Sequence, residues 1–212
     1  VTRHAVTWNN TYTMNSTTFF DLTYGLSRFS NNLNPPSAGF DLTSLGFPAY
    51  YQAQAQRDIY SRFPNVSILG LSTMGTINGA GIRFTPMNHN AAVSMTKVTG
   101  RHTVKAGVEY RKFFLNFWQE SAPGGTYSFG QDWTQRNPVR NVATEGFGVA
   151  SLLLGLGSGS QTNNISQALA SSYWGGFLQD DYRVTRKLTL NLGVRYELDV
   201  PKTERYNRMS FW

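Results

Sequence analysis

The sequence predicts an all-β chain: an antiparallel meander of long hairpins forming part of a transmembrane β-barrel. Three observations predict it. First, a phrase of alternating polarity occurs twice, as TVKAGVEYR at residues 103–111 and as TLNLGVRYE at residues 189–197. In the second copy Leu188, Leu190, Leu192, Val194, Tyr196 and Leu198 share one phase. Thr189, Asn191, Gly193, Arg195, Glu197 and Asp199 share the other. Side chains alternate faces along a strand, so such a ribbon has one apolar wall and one wet wall. Second, the strand candidates reach or exceed the ~9–11 residues that a spanning strand needs. Third, tight turns join them on one side and very long segments on the other, the asymmetry of an outer-membrane barrel.

Composition agrees. Of 212 residues, 40% are apolar, 14% aromatic and only 15% charged, whereas disorder needs high charge and few aromatics. There is no cysteine, which excludes a disulfide framework, a zinc–thiolate cluster and a thiol nucleophile. No stretch approaches the ~20 apolar residues of a spanning helix. The greasiest run, 149–156, is broken by Ser151 and Gly155 and predicts a short helix. The net charge of +7 raises the question of nucleic acid. The cations are scattered, however: Arg57, Arg62 and Arg83 in one segment, Lys97 and Arg101 near one turn, Arg183, Arg186 and Lys187 near another. With no basic helix and no stacked aromatic platform, no nucleic-acid partner is expected. These residues suit solvent or anionic head groups.

The elements follow in order. The first hairpin runs over about 3–29, turning at Asn15-Ser16. Its apolar phase holds Val6, Trp8, Tyr12 and Met14, then Phe20, Leu22, Tyr24 and Leu26. The second covers about 90–118 with its turn at Gly100-Arg101, and the third about 172–199 with its turn at Thr185-Arg186-Lys187. Gly and Asn-Ser at tight corners fit hairpin chemistry. The segments 30–89 and 119–170 are rich in Pro and Gly. Connections this long carry local structure. Strands are expected near 66–71 and 126–129, and a helix near 150–154. The run Gly155–Ser160 reads as a flexible loop, and a final loop is expected from Pro201.

Aromatic placement gives two bands. Tyr12 and Tyr182 lie close to tight turns, whereas Tyr110, Trp174 and Tyr196 lie roughly a membrane thickness away along tilted strands. These five are the candidate aromatic girdle residues. Lys105, Glu109, Arg111, Arg195 and Glu197 fall on the wet phase and are the candidate lumen-facing residues. One residue breaks the pattern: Asp180 shares the lipid-facing phase of Trp174, Leu178 and Tyr182. Either its depth near the turn or a bulge accommodates it.

Catalytic and metal signals are thin. His4, His89 and His102 lack metal-site spacing and read as solvated or turn residues. The Gly155–Gly159 run lacks the following Gly-Lys-Ser/Thr of a phosphate loop. Glu109 with Arg111 and Arg195 with Glu197 are charge ladders on a water-facing wall. No enzyme activity, metal or cofactor is expected.

The stretch Gln179-Asp180-Asp181-Tyr182-Arg183-Val184-Thr185, followed by Leu188–Glu197, closely resembles the barrel of TonB-dependent receptors. Gly100–Gly107, Leu45-Gly46-Phe47-Pro48, Ala150–Gly155 and Glu204…Asn207-Arg208 are similar. Together they resemble the Oar-like branch, whose proteins carry a carboxypeptidase-regulatory-like domain ahead of the plug. The resemblance implies a bacterial outer-membrane transporter whose barrel has ~22 strands. It implies as partners the membrane lipid, a plug domain of the same parent chain, TonB and an extracellular ligand. Residues 1–212 are read as a partial barrel domain without the plug, an internal piece of a longer chain. Two other readings stand beside it: an adhesion or structural barrel that moves no solute, and a soluble carbohydrate-binding β domain using Trp8, Trp118 and Trp133.

Overall fold

A computed structural model describes residues 1–57, 59–75, 80–137, 139, 142 and 144–208. Its first unit is built from Val1–Asn31, Phe84–Phe117 and the chain from Gln167 onward. Here six long strands lie in the order β1-β2-β4-β5-β8-β9. They are β1 (Thr2–Asn15), β2 (Thr18–Leu33), β4 (Ile82–Thr99), β5 (His102–Gln119), β8 (Gln167–Arg183) and β9 (Thr189–Glu204). The remaining strands, given below, are β3, β6 and β7. The β1–β2, β5–β8 and β8–β9 pairs are antiparallel. β1 and β9 stand at the two edges, each paired on one side.

The turns form where the chain supplies turn chemistry. Asn15 Oδ1 accepts from the Thr17 N–H at 3.0 Å and from its hydroxyl at 2.9 Å. Gly100 has φ +59, which an L side chain resists. Four boundaries differ from the sequence pattern: β2 runs on to Leu33 and β8 starts at Gln167, beyond the expected 29 and 172, and the other two are in β4 and β9. β4 begins at Ile82, because Pro86 and Asn88 interrupt the polarity alternation without interrupting the strand. β9 continues through Pro201 to Glu204 rather than giving way to a loop. The β8–β9 register shifts between Ala170 and Ser172, and Pro201 falls in the shifted stretch. Proline is tolerated at bulges and at edges because it needs no ladder donor there.

The registers define the two faces. Val6, Trp8 and Tyr12 pair with Leu26, Tyr24 and Phe20. Val108, Tyr110, Trp174, Leu178, Val194 and Tyr196 fall on a common face by the β5–β8–β9 pairing. That face is apolar yet bare, with Val194 67% and Tyr196 71% exposed. A contiguous apolar surface of this extent marks contact with lipid or protein.

Beyond Tyr110 and Trp174 the chemistry of the faces exchanges. On the side that was apolar, Lys112 donates to Ser172 at 2.9 Å, and the Arg205 guanidinium donates to Asn116. On the side that was polar stand Phe113, Leu115 and Leu169, with Phe29, Phe84 and Phe117 in edge-to-face contact. The strands therefore change environment at that level.

The second unit comprises Asn32–Arg83 and Trp118–Ser166. Its sheet has the order β3-β6-β7, from β3 (Asn65–Ile68), β6 (Ala122–Phe129) and β7 (Ser158–Thr162). β3 is parallel to β6, and β6 antiparallel to β7. Helices α1 (Ala49–Ala55) and α2 (Gly148–Leu153) lie in the same unit. The Gly155–Ser160 run therefore enters a strand instead of forming a loop alone. Leu42, Ala55 and Ile68 are buried. Arg62 and Glu120, both fully buried, bond at 2.6 Å, and Arg62 also donates to the Ser121 carbonyl at 3.2 Å. Gly124 permits this packing: a Cβ there would stand 2.1 Å from the Arg62 carbonyl oxygen. Tyr51 and Tyr127 share a hydrogen bond of 2.5 Å, with Phe47 stacked on Tyr51. Burial, followed by that bond, pushes the Tyr51 phenol up.

Candidate functional site: the charged face of the sheet

One face of the first unit carries a cluster of ionisable side chains, and the strand registers explain how. Rungs of three residues cross β5, β8 and β9: Lys105–Gln179–Gly193, Gly107–Phe177–Arg195, Glu109–Gly175–Glu197 and Arg111–Tyr173–Asp199. All twelve residues share one face, because directly paired residues point the same way.

Two charge pairs on this face run along the strands. Arg111 Nε donates to Glu109 Oε1 at 2.6 Å, and Arg195 Nε donates to Glu197. Tyr173 joins the two pairs: its hydroxyl accepts from Arg195 at 3.2 Å, and the Arg111 guanidinium lies 4.9 Å from its ring centroid. A cation over an aromatic face is attracted by the ring quadrupole. Tyr173 is 8% exposed, so the network has a buried centre. Sequence reasoning missed it. The signal was a tyrosine on the wet phase of β8, legible only once β8 is placed between the two charge pairs.

Glycines let these side chains lie flat. A Cβ on Gly107 would stand 2.6 Å from the Phe177 ring, and one on Gly175 would stand 2.8 Å from the Tyr173 hydroxyl. The bulky residue of one strand thus covers the bare backbone of its neighbour. The face carries a recess of about 250 Å³ lined by Asp21, Lys105, Glu109, Phe177 and Arg195, among others. On the first hairpin Asp21 accepts from the Thr11 hydroxyl at 2.7 Å. Lys105, Glu109, Arg111, Arg195 and Glu197 are therefore brought to one surface. It is a polar surface with two ion pairs, able to exchange hydrogen bonds with water or a facing polypeptide. Among the described residues no group of three His, Asp or Glu side chains is placed to hold a metal ion.

The opposite face carries the aromatic candidates. Tyr110 and Trp174 occupy one rung with ring centroids 4.3 Å apart, and Tyr196 stands in the next rung, across from Gly176. Tyr182, at the turn end of β8, stacks on His102 with centroids 4.3 Å apart. Tyr12 stands near the first turn, opposite Phe20.

Asp180 is resolved by the same geometry. No register shift lies near it, so no bulge turns it inward. It stays on the apolar face and bonds His102 Nδ1 at 2.6 Å. His102 is therefore a turn-end residue that is also paired, its side chain still 43% exposed. His89 is likewise engaged, with Tyr24 Oη at 2.8 Å. Of the tryptophans that a sugar-binding reading would use, Trp118 is 3% exposed against Tyr60, which denies it a platform role.

Among curated proteins, the chain is similar to the TonB-dependent transporter Oar of Myxococcus xanthus. The two are 33% identical over 112 residues, half of this chain and 10% of that protein. The chain thus matches a small fraction of the relative's length. The outer membrane beta barrel domain family matches the entire chain, residues 1–212. With its antiparallel meander, bare apolar face and charged opposite face, the chain belongs to the outer membrane beta barrel domain family and resides in the bacterial outer membrane.

Proposed function

We propose that this chain is part of the barrel wall of a TonB-dependent outer-membrane transporter. The parent protein takes up an extracellular ligand, with energy coupled through TonB. The observation that carries the reading is the set of charged side chains, two ion pairs among them, on the face opposite the bare apolar one. A barrel that encloses water or a folded plug needs a polar interior and an apolar exterior. Lys105, Glu109, Arg111, Arg195 and Glu197 line that interior and meet the plug of the same parent chain. Tyr12 and Tyr182 form one girdle, and Tyr110, Trp174 and Tyr196 the other. The unpaired outer edges of β1 and β9 are seated against further strands, since an open edge in lipid leaves backbone groups unsatisfied. The long segments between hairpins contact the ligand, and the protein performs no catalysis. The similarity to the Oar transporter supports this assignment.

The test uses the full-length parent protein in outer-membrane vesicles. Purified C-terminal domain of TonB is titrated against it. Cysteines at Lys105 and Val194 are then probed with a membrane-impermeant maleimide after plug unfolding in mild urea. Saturable binding with labelling at position 105 alone supports the transporter. Absent binding, with the same labelling pattern, leaves an adhesion or structural barrel.

A further inference from the structure

We propose that the adjacent tight turns β4–β5 and β8–β9 form a binding surface for anionic phospholipid headgroups. The inference depends on the outer-membrane location and not on transport.

The two turns are built as one object. β5 pairs with β8, so residues 100–101 and 184–188 are neighbours. The Arg183 N–H donates to the Arg101 carbonyl at 2.8 Å, and the Arg101 guanidinium donates to the Val184 carbonyl at 3.2 Å. These bonds fix the spacing of the cations that the turns carry: Lys97, Arg101, Arg183, Arg186 and Lys187, all exposed. Among the described residues none of the five is in an ion pair. The acids at this level are engaged elsewhere: Asp180 holds His102, and Asp181 accepts from the Gln179 amide at 3.2 Å. The turn of the first hairpin, Asn15-Ser16-Thr17, carries no cation, so the basic character is local.

Continuity with the lipid-facing surface selects the occupant. Leu178, Leu190 and Leu192 run down the apolar face to the stacked Tyr182–His102 pair at its rim. Lys97 stands on that same face. Ser94 meets Gly107 on the charged face, so the odd-numbered neighbours of Ser94 in β4 point the other way. A phosphodiester suits arginine forks and lysine point charges. Clusters of four to eight basic residues beside an apolar membrane surface favour anionic lipid. A free phosphate shares that chemistry but has no acyl chain for the apolar face to hold.

The full-length protein is reconstituted in nanodiscs of equimolar phosphatidylglycerol and phosphatidylcholine. Retained lipid is then counted by native mass spectrometry. The wild type is expected to retain phosphatidylglycerol with a preference on the order of tenfold. R101Q/R183Q/R186Q/K187Q should bring the ratio close to one, with folding checked by heat-modifiable gel migration. Should that variant fail to fold, R186Q/K187Q is read instead, because its two side chains lie in the turn outside the strand ladder. It should at least halve the preference. Equal retention of the two lipids by the wild type, or an undiminished preference in either folded variant, overturns the proposal. So does full competition by soluble glycerol phosphate, which would make this a phosphate site.

Discussion

Val194→Arg against Asn191→Arg is the sharpest test of the two faces. Tyr182 pairs with Leu190 and Trp174 with Leu198, so Val194, opposite Leu178, stands midway between the two aromatic levels. Tyr182 stands eight positions after Trp174 in β8. At ~3.4 Å per step and ~40° of tilt this spacing spans about 21 Å of depth, close to the ~25 Å apolar band of such barrels. On the proposed girdle assignment position 194 lies near the membrane midplane, where a lipid-facing arginine costs about 2–4 kcal/mol. That corresponds to roughly 30- to 900-fold in the folding equilibrium. Asn191 lies on the other face, directly opposite Asp181. An arginine there gains a cross-strand carboxylate, worth about 0.2–1 kcal/mol in the favourable direction. The assay is guanidinium unfolding of the parent protein in lipid vesicles, read by tryptophan fluorescence. Equal destabilisation by the two substitutions would refute the face assignment. Leu192 is a poorer probe than Val194, because it sits opposite Asp180, which would soften an introduced charge.

Three further outcomes follow from the packing. Gly107→Ala should destabilise the sheet by about 1–3 kcal/mol by driving a methyl group into the Phe177 ring; in the same unfolding assay Phe177→Leu should recover part of the loss. Glu120→Gln leaves Arg62 buried with its charge uncompensated, a loss of about 3–5 kcal/mol. Limited proteolysis of intact cells should then cleave within residues 118–166 faster than in wild type. Asn207 has φ +54, so Asn207→Gly should be neutral, while Asn207→Val should cost about 1–2 kcal/mol. Hydrogen exchange at the Tyr206 and Arg208 amides, both held by Glu204, reports the difference.

The six long strands and their phases were legible because period-two alternation and turn residues are local signals. What escaped depended on contacts remote in sequence. Asp180 looked misplaced until His102, 78 residues away, proved to be its partner. Tyr173 gave no sign of joining two charge pairs that lie on separate strands. The Arg62–Glu120 bond spans 58 residues, and neither side chain belongs to any periodic pattern. β7 hid in a Gly-Ser run, because a strand that covers its neighbour's aromatic rings must lack side chains there. A Cβ on Gly157 or Gly159 would meet Phe129 or Tyr127 at 2.6 Å. Glycine usually argues against a strand, and here close packing overrode that tendency. The Glu204…Asn207-Arg208 group is a turn in which one carboxylate collects the amides of Ala168, Tyr206 and Arg208.

The buried Arg62–Glu120 pair also dictates an order of events. Its two halves are separated in the chain by the whole β4–β5 hairpin. Neither segment holds a complete core by itself, since β3 finds its sheet partner in β6 on the far side of that hairpin. The first segment therefore gains its buried partner and its sheet neighbour only from the second. Closing so long a loop is slow. Protease resistance of the second unit should therefore appear only once both of its segments are present in the chain.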